Sequence, residues 1–370
     1  MTRSDVTQGT GFPNNTPVPG SLEAECRALG IDPSGVLDFS GSLNPLGPPQ
    51  CIDTVLQQGV KLASTYPDLH HDDARTALAR AHNVDPQTIL IGNGSTELLH
   101  LITRHFHADR TLVLGPSRAD YVRAAELAGS RVDLKLATPA RLFRHDVAAM
   151  RHLADYHLVI LGNPGSFTGM LWRLDEIVEW AAENPEVFFL VDEGYMDFVD
   201  RAHVSMIGIN CPNIVVMKSF GAFFGIPGLR LGMLWASSEV VNVLRARREP
   251  CTVNRLAQKA ATMLYGEQGY VSATHRLLSQ ERSFLTRGLT ELGFRVFDSP
   301  ASFLLLRIEY KKLTASLLKT LALRNGVFVG DCSAVPGLGE NFVRVAVRRR
   351  HENERLIEAI EKLLREAGLC

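Results

Sequence analysis

The chain has 370 residues, of which 45% are hydrophobic and 21% charged, and its formal net charge is -1. This composition is typical of a globular protein and excludes a disordered or fibrous one, and the length favours a large domain that carries a smaller one. Basic residues are dispersed apart from Arg348, Arg349 and Arg350. The charge pattern therefore predicts a small-molecule ligand and no nucleic-acid partner.

The termini, cysteines and histidines suggest no membrane or metal partner. The N-terminus lacks the basic start and apolar run of a signal peptide, and no apolar run is long enough to span a membrane. Six cysteines are scattered without a CxxC pair or a zinc-type spacing. His70 and His71 stand beside two aspartates, but adjacent histidines seldom converge on one ion, and a solvated helix start is favoured. We predict a cytoplasmic protein with no membrane partner and no metal site.

Two patterns along the chain predict two domains. Residues 1–35 begin with a polar stretch rich in Gly and Pro, which predicts a flexible arm. From about Ser95 to Trp235, the apolar runs TLVLG, HLVILGN, VFFLVDE and NIVVMKS alternate with helical stretches such as TELLHLITRHF and LDEIVEWAAEN. This alternation predicts an α/β fold with a mainly parallel, doubly wound sheet, in a large domain over residues 36–250. The strands FRVFDS, SFLLLRI and FVRVAV and a terminal helix predict a smaller α+β domain over residues 251–370.

Three predicted strands end in the polar sequences GNP, DEG and KSFG, and doubly wound sheets bind ligands at the carboxyl ends of their strands. GNGST, at Gly92 to Thr96, opens a helix and offers backbone amides to a phosphate, although such residues also begin helices merely as caps. Asp192 follows a buried strand and needs a cation, which a protonated pyridine nitrogen, a structural ion pair or Mg²⁺ would supply. No GxxxxGK[ST] loop supports the magnesium interpretation.

The most specific segment is VVMKSFGAFFGIPGLRLG, from Val215 to Gly232, where Ser219 and Arg230 flank a Gly-rich turn. It resembles the cofactor-binding segment of fold-type I pyridoxal 5'-phosphate (PLP) enzymes, in the branch that contains histidinol-phosphate aminotransferase and threonine-phosphate decarboxylase. Further stretches resemble this branch in the same order, from about residue 36 to the C-terminus: LDFSGSLNPLGPP, YPDLHHDDARTALARAHNV, GNGSTELLHLI, NPGSFTG, VDEGYMDF, CTVNRLAQ and FVRVAVRRRHENERL. The resemblance implies an aspartate aminotransferase-like fold and PLP as the cofactor.

Matched position by position, the resemblance implies roles for individual residues at the cofactor. Asp192 would pair with the pyridine nitrogen, which keeps the ring protonated, and Asn163 and Tyr195 would hydrogen-bond the ring hydroxyl. The residues implied at the phosphate are Gly94, Ser95, Thr96, Ser219 and Arg230.

The resemblance also implies how substrate and partner subunit contribute. Arg344 would clamp the carboxylate of an amino-acid substrate with its planar fork, and Asn44 and Phe167 would lie in the substrate site. Tyr66, in YPD, would reach the phosphate bound by a partner subunit. The implied assembly is a homodimer with composite active sites.

The pattern breaks at the residue that should hold the cofactor covalently. In this branch a serine is followed three residues later by lysine, and here that position is Ala222. Alanine has neither an amine nor a base, so the chain is expected to be largely inactive, and an active parent would carry lysine there. Lys218 matches a position that is usually another basic residue and is not expected to substitute. A replacement made to trap an intermediate and a natural loss both stay open, and the survival of the other cofactor-holding positions favours the first.

Other departures concern the substrate pocket. Gly330 stands where relatives have an arginine that a phosphate-bearing substrate would need, so histidinol phosphate and threonine phosphate are not expected. Arg118 replaces an aromatic ring that stacks on the cofactor, and Tyr121 is the candidate to compensate for it. NPGSFTG replaces a more polar loop, and Cys251 stands where tryptophan is common. These changes predict a remodelled pocket.

Three functions remain open from the sequence. The first is a PLP-dependent transferase or lyase that acts at the α-carbon of an amino acid, by transamination or decarboxylation. The second is a PLP enzyme that catalyses elimination, replacement or carbon–carbon bond formation on an unusual amino acid. The third, favoured by Ala222, is a non-catalytic PLP-binding protein.

Overall fold

A computed structural model describes residues 22–106, 108–146, 150, 153–200 and 205–369. The first 21 residues of the predicted arm lie outside these ranges. In chain order the described α-helices are α1 (Leu22–Leu29), α2 (Cys51–Gln57), α3 (Gly59–Ala63), α4 (Asp72–His82), α5 (Gly94–Phe106), α6 (Ala119–Leu127), α7 (Leu174–Glu183), α8 (Ser238–Arg247), α9 (Arg255–Ala261), α10 (Gln268–Glu291), α11 (Ala315–Arg324) and α12 (Arg350–Glu366). The described strands are β1 (Leu37–Asp38), β2 (Ile89–Asn93), β3 (Arg110–Gly115), β4 (Arg131–Leu136), β5 (Leu158–Gly162), β6 (Phe188–Asp192), β7 (Ile214–Ser219), β8 (Leu231–Trp235), β9 (Arg295–Phe297), β10 (Phe303–Arg307), β11 (Val327–Phe328), β12 (Gly330–Asp331) and β13 (Phe342–Ala346).

Seven strands form the central sheet, in the order β2-β8-β7-β6-β5-β3-β4. Neighbouring strands are parallel except that β8 runs antiparallel to β2 and β7. The apolar runs of β5, β6 and β7 are buried almost throughout, because their side chains enter one packed core on each face of the sheet. The predicted mainly parallel, doubly wound sheet is confirmed.

The order of the strands places a crevice at the carboxyl edge of this sheet. The chain passes from β3 outward to β4 and then returns through β5 to the other side, so the direction of winding reverses between β3 and β5. The connections on either side of such a reversal diverge and leave room for a ligand. The connection after β3 carries Arg118, and Asn163 follows β5. Both residues therefore lie at the switch point of the sheet.

A second body is built on a four-stranded antiparallel sheet in the order β12-β13-β10-β9, which confirms the predicted smaller α+β domain. The beginning of the described chain belongs with this body. β1 pairs in parallel with β11, and Cys26 of α1 packs with Leu323 and Phe328. Residues 22–35, which the sequence assigns to a flexible arm, thus include a helix with a buried face.

The division between the two bodies near residue 250 stays a prediction. α9 follows that residue, yet it packs against α2, α4 and β8 of the larger body. This packing favours a division that lies beyond α9. Among the described residues, no helix is long and apolar enough to cross a membrane.

A cluster of phenylalanines joins the edge of the large sheet to the small one. Phe143, in the connection after β4, is buried, and its ring lies 5.1 Å from that of Phe297 and 6.2 Å from that of Phe342. Both Leu142 and Phe143 have left-handed backbones, with φ of 52° and 60°. A bulky residue rarely adopts this conformation, so the packing of Phe143 has to offset local strain.

Phe143→Ala is expected to lower the free energy of unfolding by about 3 kcal/mol, because it removes a buried ring from this cluster. Leu142→Ala is a matched control, since its backbone is equally left-handed but its side chain is 62% exposed. Urea denaturation of both variants measures the difference. Equal losses of stability would mean that the cluster does not hold the two sheets together.

Candidate active site

One end of the crevice is a candidate anion site at the start of α5. Gly94 has a φ of +73°, which L side chains rarely adopt, and a Cβ there would lie 2.5 Å from Nη2 of Arg230, so a side chain at this position would also have to displace that guanidinium. Arg230 Nη2 lies 3.4 Å from the hydroxyl of Thr96, to which it donates, and Ser95 is buried in the same first turn. Backbone amides at a helix start and a guanidinium therefore converge on one place, which suits a phosphate.

The carboxylate of Asp192 lies at the end of β6 and is 5% exposed. Its Oδ2 accepts a 2.5 Å hydrogen bond from the Tyr121 hydroxyl, and its Oδ1 accepts one from the Gly194 amide at 2.8 Å. Arg118 Nη1 lies 4.0 Å from Oδ2. Burial raises the pKa of Asp192, while Arg118, Tyr121 and Gly194 act to lower it. A cation placed against this carboxylate would lower the cost of its burial.

The side chain of Asn163 has a hydrogen-bond donor without a partner. Its Oδ1 accepts a bond from the Trp172 amide at 3.0 Å, which fixes the orientation of the side-chain amide. Nδ2 is buried and has no hydrogen-bond partner among the described residues. An unmatched buried donor costs about 1 to 3 kcal/mol. The Asn163 backbone amide also donates to the Asp192 carbonyl at 2.8 Å, so Asn163 lies beside the end of β6.

Ser219, Tyr195 and Ala222 lie around the same edge. Ser219 ends β7, and a Cβ on Gly194 would approach both the Ser219 Cβ, at 3.8 Å, and Asp192 Oδ1, at 3.0 Å. The ring of Tyr195 packs edge-on against Phe303 of the small sheet, with 5.1 Å between centroids. Ala222 is half-buried, whereas the residues on either side of it in the turn after β7 are buried.

Lys218 has a partner on the other face of the sheet. Its side chain is 2% exposed, and Nζ lies 2.6 Å from Oδ1 of Asp197, which also accepts a hydrogen bond from Tyr265. Successive side chains of a strand point to opposite faces, so Lys218 points away from the side on which Ser219 lies. Its ammonium neutralises a partly buried carboxylate there, which is a structural role.

At the small-domain side of the crevice, Arg344 lies between two aromatic rings. Its guanidinium carbon is 5.2 Å from the centroid of Phe167 and 5.0 Å from that of Phe303. The guanidinium donates to two backbone carbonyls, those of Ser166 at 2.9 Å and Ser40 at 3.0 Å. These neutral acceptors leave a planar cationic fork that a carboxylate would bind more strongly.

Asn44 forms hydrogen bonds within the protein that hold the turn after β7. Its Nδ2 donates to the Phe223 carbonyl and to the Thr274 hydroxyl, each at 2.8 Å, so both amide hydrogens are used inside the protein. Its backbone amide donates to the Ala222 carbonyl at 3.0 Å. Asn44 therefore holds the turn that carries Ala222, and its predicted contact with substrate would have to displace a protein hydrogen bond.

Two predicted residues lie outside the crevice, and one at its edge was not anticipated. Tyr66 is 90% exposed, and Cys251 is also on the surface. Asp120 forms an ion pair with Arg118, which the sequence analysis did not identify. The signal for it was available, since an acidic residue in the first turn of a helix two positions after an arginine can pair with it. Ser166, whose carbonyl binds Arg344, also places its hydroxyl 3.4 Å from that of Tyr121.

With this geometry established, comparison with known proteins identifies the family. The family model described as aminotransferase class I and II matches residues 36–362. The chain belongs to the class I and II aminotransferase family. A threonine-phosphate decarboxylase of Salmonella typhimurium is 30% identical over 353 residues, which cover 93% of this chain and 96% of that protein. A histidinol-phosphate aminotransferase of Moorella thermoacetica is 29% identical, over 94% of this chain and 90% of that protein.

The solved structure of an L-threonine-O-3-phosphate decarboxylase from Porphyromonas gingivalis superposes on this chain with a TM-score of 0.80 and 27% identity. The match covers 89% of this chain and 100% of that one. The fold is that of aspartate aminotransferase, and the cofactor of this aminotransferase-family protein is PLP. The residues present fit this cofactor, because the unmatched Nδ2 of Asn163, the buried Asp192 and the anion site at α5 lie along one edge of the sheet.

A second buried carboxyl group, that of Glu193, should make stability depend on pH. Its Oε2 accepts a hydrogen bond from the Ser205 hydroxyl and its Oε1 one from the Met206 amide, each at 2.6 Å. Burial raises the pKa of Glu193 to about 7, against the opposing effect of Lys218. A raised pKa in the folded state means that the folded protein binds the proton more tightly than the unfolded chain. The resulting stability is therefore present below the unfolded pKa and is lost as the pH rises through about 7.

We expect Glu193 to contribute a fall of about 2 to 3 kcal/mol in the free energy of unfolding between about pH 5 and about pH 8, against the rise that buried histidines of lowered pKa contribute up to about pH 6.5, and Glu193→Gln to remove most of the fall. Glutamine has the shape of the protonated side chain and can donate to Ser205 while accepting from Met206. Glu186→Gln, at an exposed carboxylate, is the control and should keep the fall. Denaturant titrations at several pH values measure it, and an unchanged slope in Glu193→Gln would rule out this carboxyl group as the source.

Proposed function

We propose that the chain is a PLP-dependent protein that acts on the α-carbon of an amino acid, of the aminotransferase or decarboxylase type, in which alanine occupies the position of the cofactor-holding lysine. The observation that carries this proposal is the buried Nδ2 of Asn163, which has no hydrogen-bond partner among the described residues, in a residue whose backbone amide donates to the carbonyl of Asp192. A ring with an oxygen substituent and a protonated nitrogen would satisfy both this donor and the Asp192 carboxylate. When bound, PLP withdraws electrons from the α-carbon of the substrate.

Each candidate residue has a physical task in this proposal. Asp192 holds the proton on the ring nitrogen, and Asn163 and Tyr195 hydrogen-bond the ring hydroxyl. The residues proposed at the phosphate are Gly94, Ser95, Thr96, Ser219 and Arg230. The helix start of α5 and the Arg230 guanidinium, which already approach each other at Thr96, support this assignment.

Arg344 is proposed to bind the substrate carboxylate. Its fork is held between Phe167 and Phe303 and is now satisfied by carbonyls, so a carboxylate would exchange neutral acceptors for a charged one. Gly330 is the cross-strand partner of Arg344, and a Cβ there would lie 3.1 Å from the Arg344 carbonyl oxygen. The phosphate-binding arginine expected from the resemblance is thus absent, which supports a substrate without a phosphate.

The alanine at position 222 is the feature that separates the three candidate functions. Without an amine or a base at this position, the chain is proposed to bind PLP without a covalent bond and to be largely inactive. The retention of Asp192, Asn163, Ser219 and Arg230 favours a substitution in an otherwise complete site. A natural PLP-binding protein without turnover is the second candidate, which Ala222 itself favours. Elimination, replacement or carbon–carbon bond formation on an unusual amino acid is the third, which Gly330 and Arg118 favour.

Ala222→Lys is expected to form a borohydride-reducible bond with PLP, visible as a change in absorbance, and to turn over one or more amino acids. Ala222→Met is the matched control, because it supplies comparable bulk without an amine and should form no such bond. Product analysis of the lysine variant separates transamination, decarboxylation and substitution. A lysine variant that binds PLP but stays inert with every amino acid would favour the non-catalytic candidate.

We also propose a homodimer in which Tyr66 serves the site of the other subunit. Four exposed apolar side chains near α3, here called the α3 patch, support an interface there: Leu56, Val60, Tyr66 and Leu69. Val60 is 87% exposed, although large apolar groups seldom lie in open solvent together. The unpaired state of the described cysteines supports a reducing compartment, the cytoplasm.

Val60→Asp is expected to convert the dimer to monomers and to weaken PLP binding at least ten-fold, because it places a charge in the α3 patch. Tyr66→Phe should leave the dimer intact and weaken PLP binding alone. Leu317→Asp, at an exposed leucine of α11, is the control and should change neither property. Sedimentation and spectroscopic titration with PLP measure the two effects. A monomeric parent protein that binds PLP normally would contradict the proposal.

A further inference from the structure

The charged and titratable groups that act on Asp192 all come from the start of one helix, α6. Arg118, Asp120 and Tyr121 approach it from the first turn of α6. Burial and the neighbouring carboxylate raise the pKa of Tyr121, so its hydroxyl keeps the proton that it donates to Asp192. The other charged groups of this region have different partners. Lys218 and Glu193 form their contacts on the opposite face of the sheet. Arg344, from the small domain, donates its hydrogen bonds to backbone carbonyls.

Arg118 and Asp120 form a two-pronged ion pair at the edge of the site. Nε of Arg118 donates to Oδ1 of Asp120 at 3.0 Å, and Nη2 contacts Oδ2. This leaves Nη1 as the guanidinium nitrogen nearest the site, 4.0 Å from Oδ2 of Asp192. The Arg118 side chain is only 35% exposed, so solvent screens this interaction incompletely.

The two charges act in opposite directions on anything bound to Asp192. The Arg118 cation stabilises the Asp192 carboxylate but repels a proton on a ring nitrogen next to it. The Asp120 carboxylate offsets that repulsion. The resemblance places an uncharged aromatic ring where Arg118 stands, so the charge pair is a property of this chain.

We propose that the Arg118–Asp120 pair sets how firmly Asp192 holds the proton on the cofactor's ring nitrogen, with Arg118 weakening that hold and Asp120 restoring it. This inference rests on the proposed function, since it requires the ring to lie against Asp192. A ring that loses its proton is a weaker acceptor of electrons from the substrate. The two residues are therefore positioning residues: they adjust how strongly the bound ring withdraws electrons and do not contact the reacting carbon.

The test uses pyridoxamine 5'-phosphate labelled with ¹⁵N in the ring, which has no aldehyde and so binds independently of residue 222. Its ¹⁵N chemical shift, followed against pH in the complex, reports the loss of the ring proton. Arg118→Gln should move the midpoint upward by about one pH unit, and Asp120→Asn should move it downward by a similar amount. Both variants break the same ion pair, so a merely structural role would move the two midpoints in the same direction.

The chain contains a matched control for this pair. Arg173 precedes α7 as Arg118 precedes α6, and it forms the same two-pronged pair with Asp175, but in solvent and outside the site. Arg173→Gln and Asp175→Asn should leave the midpoint unchanged. Arg118→Lys keeps the charge and should leave the midpoint close to that of the parent. If Arg118→Gln does not fold, Asp120→Asn decides alone, because an unmoved or raised midpoint in that variant would overturn the inference.

Shifts of opposite sign with unmoved controls would establish the inference. Shifts of the same sign, or none, would overturn it while leaving PLP binding intact. If the parent protein does not bind labelled pyridoxamine 5'-phosphate, the cofactor site itself is wrongly assigned and the inference falls with it.

Discussion

A carboxylate buried at the end of a strand is the constraint on which the site depends. Asp192 would be costly to hold away from water unless it has donors on both oxygens, and Tyr121 and Gly194 supply them. Those donors come from different elements, so α6, β6 and the turn that follows must keep a fixed arrangement. The reversal of winding between β3 and β5 makes room for that arrangement, because it opens the carboxyl edge of the sheet.

The alternation of side chains along β6 and β7 then separates two kinds of chemistry. Asp192 and Ser219 lie at the crevice, whereas their chain neighbours Glu193 and Lys218 meet other partners behind the sheet. The partly buried Lys218–Asp197 ion pair connects the end of β7 to the turn after β6. The groups proposed to contact a ligand thus lie next in the chain to groups that contact only protein.

The small domain completes the crevice from the opposite side. Arg344 reaches across to the Ser166 carbonyl of the large domain, and its guanidinium is flanked by Phe167 and Phe303. Phe143 fixes the edge of the large sheet against the small one, so the arginine fork faces the crevice from a supported position. The position of the Arg344 guanidinium, and with it the proposed carboxylate site, therefore depends on how the two bodies are packed, and not on either sheet alone.

The sequence by itself determined seven of the strands (β3, β5, β6, β7, β9, β10 and β13), the family resemblance and the position of Ala222, because apolar periodicity and short motifs are local properties of a chain. Only the tertiary structure decided which groups meet. It left Nδ2 of Asn163 with no hydrogen-bond partner in the part of the chain that the structure describes, brought Arg118 to 4.0 Å from Asp192, and joined Asn44 to the turn that carries Ala222. It also packed α1 and β1 on the small domain. These outcomes depend on contacts between residues far apart in the chain, and no local pattern encodes the distance between two side chains.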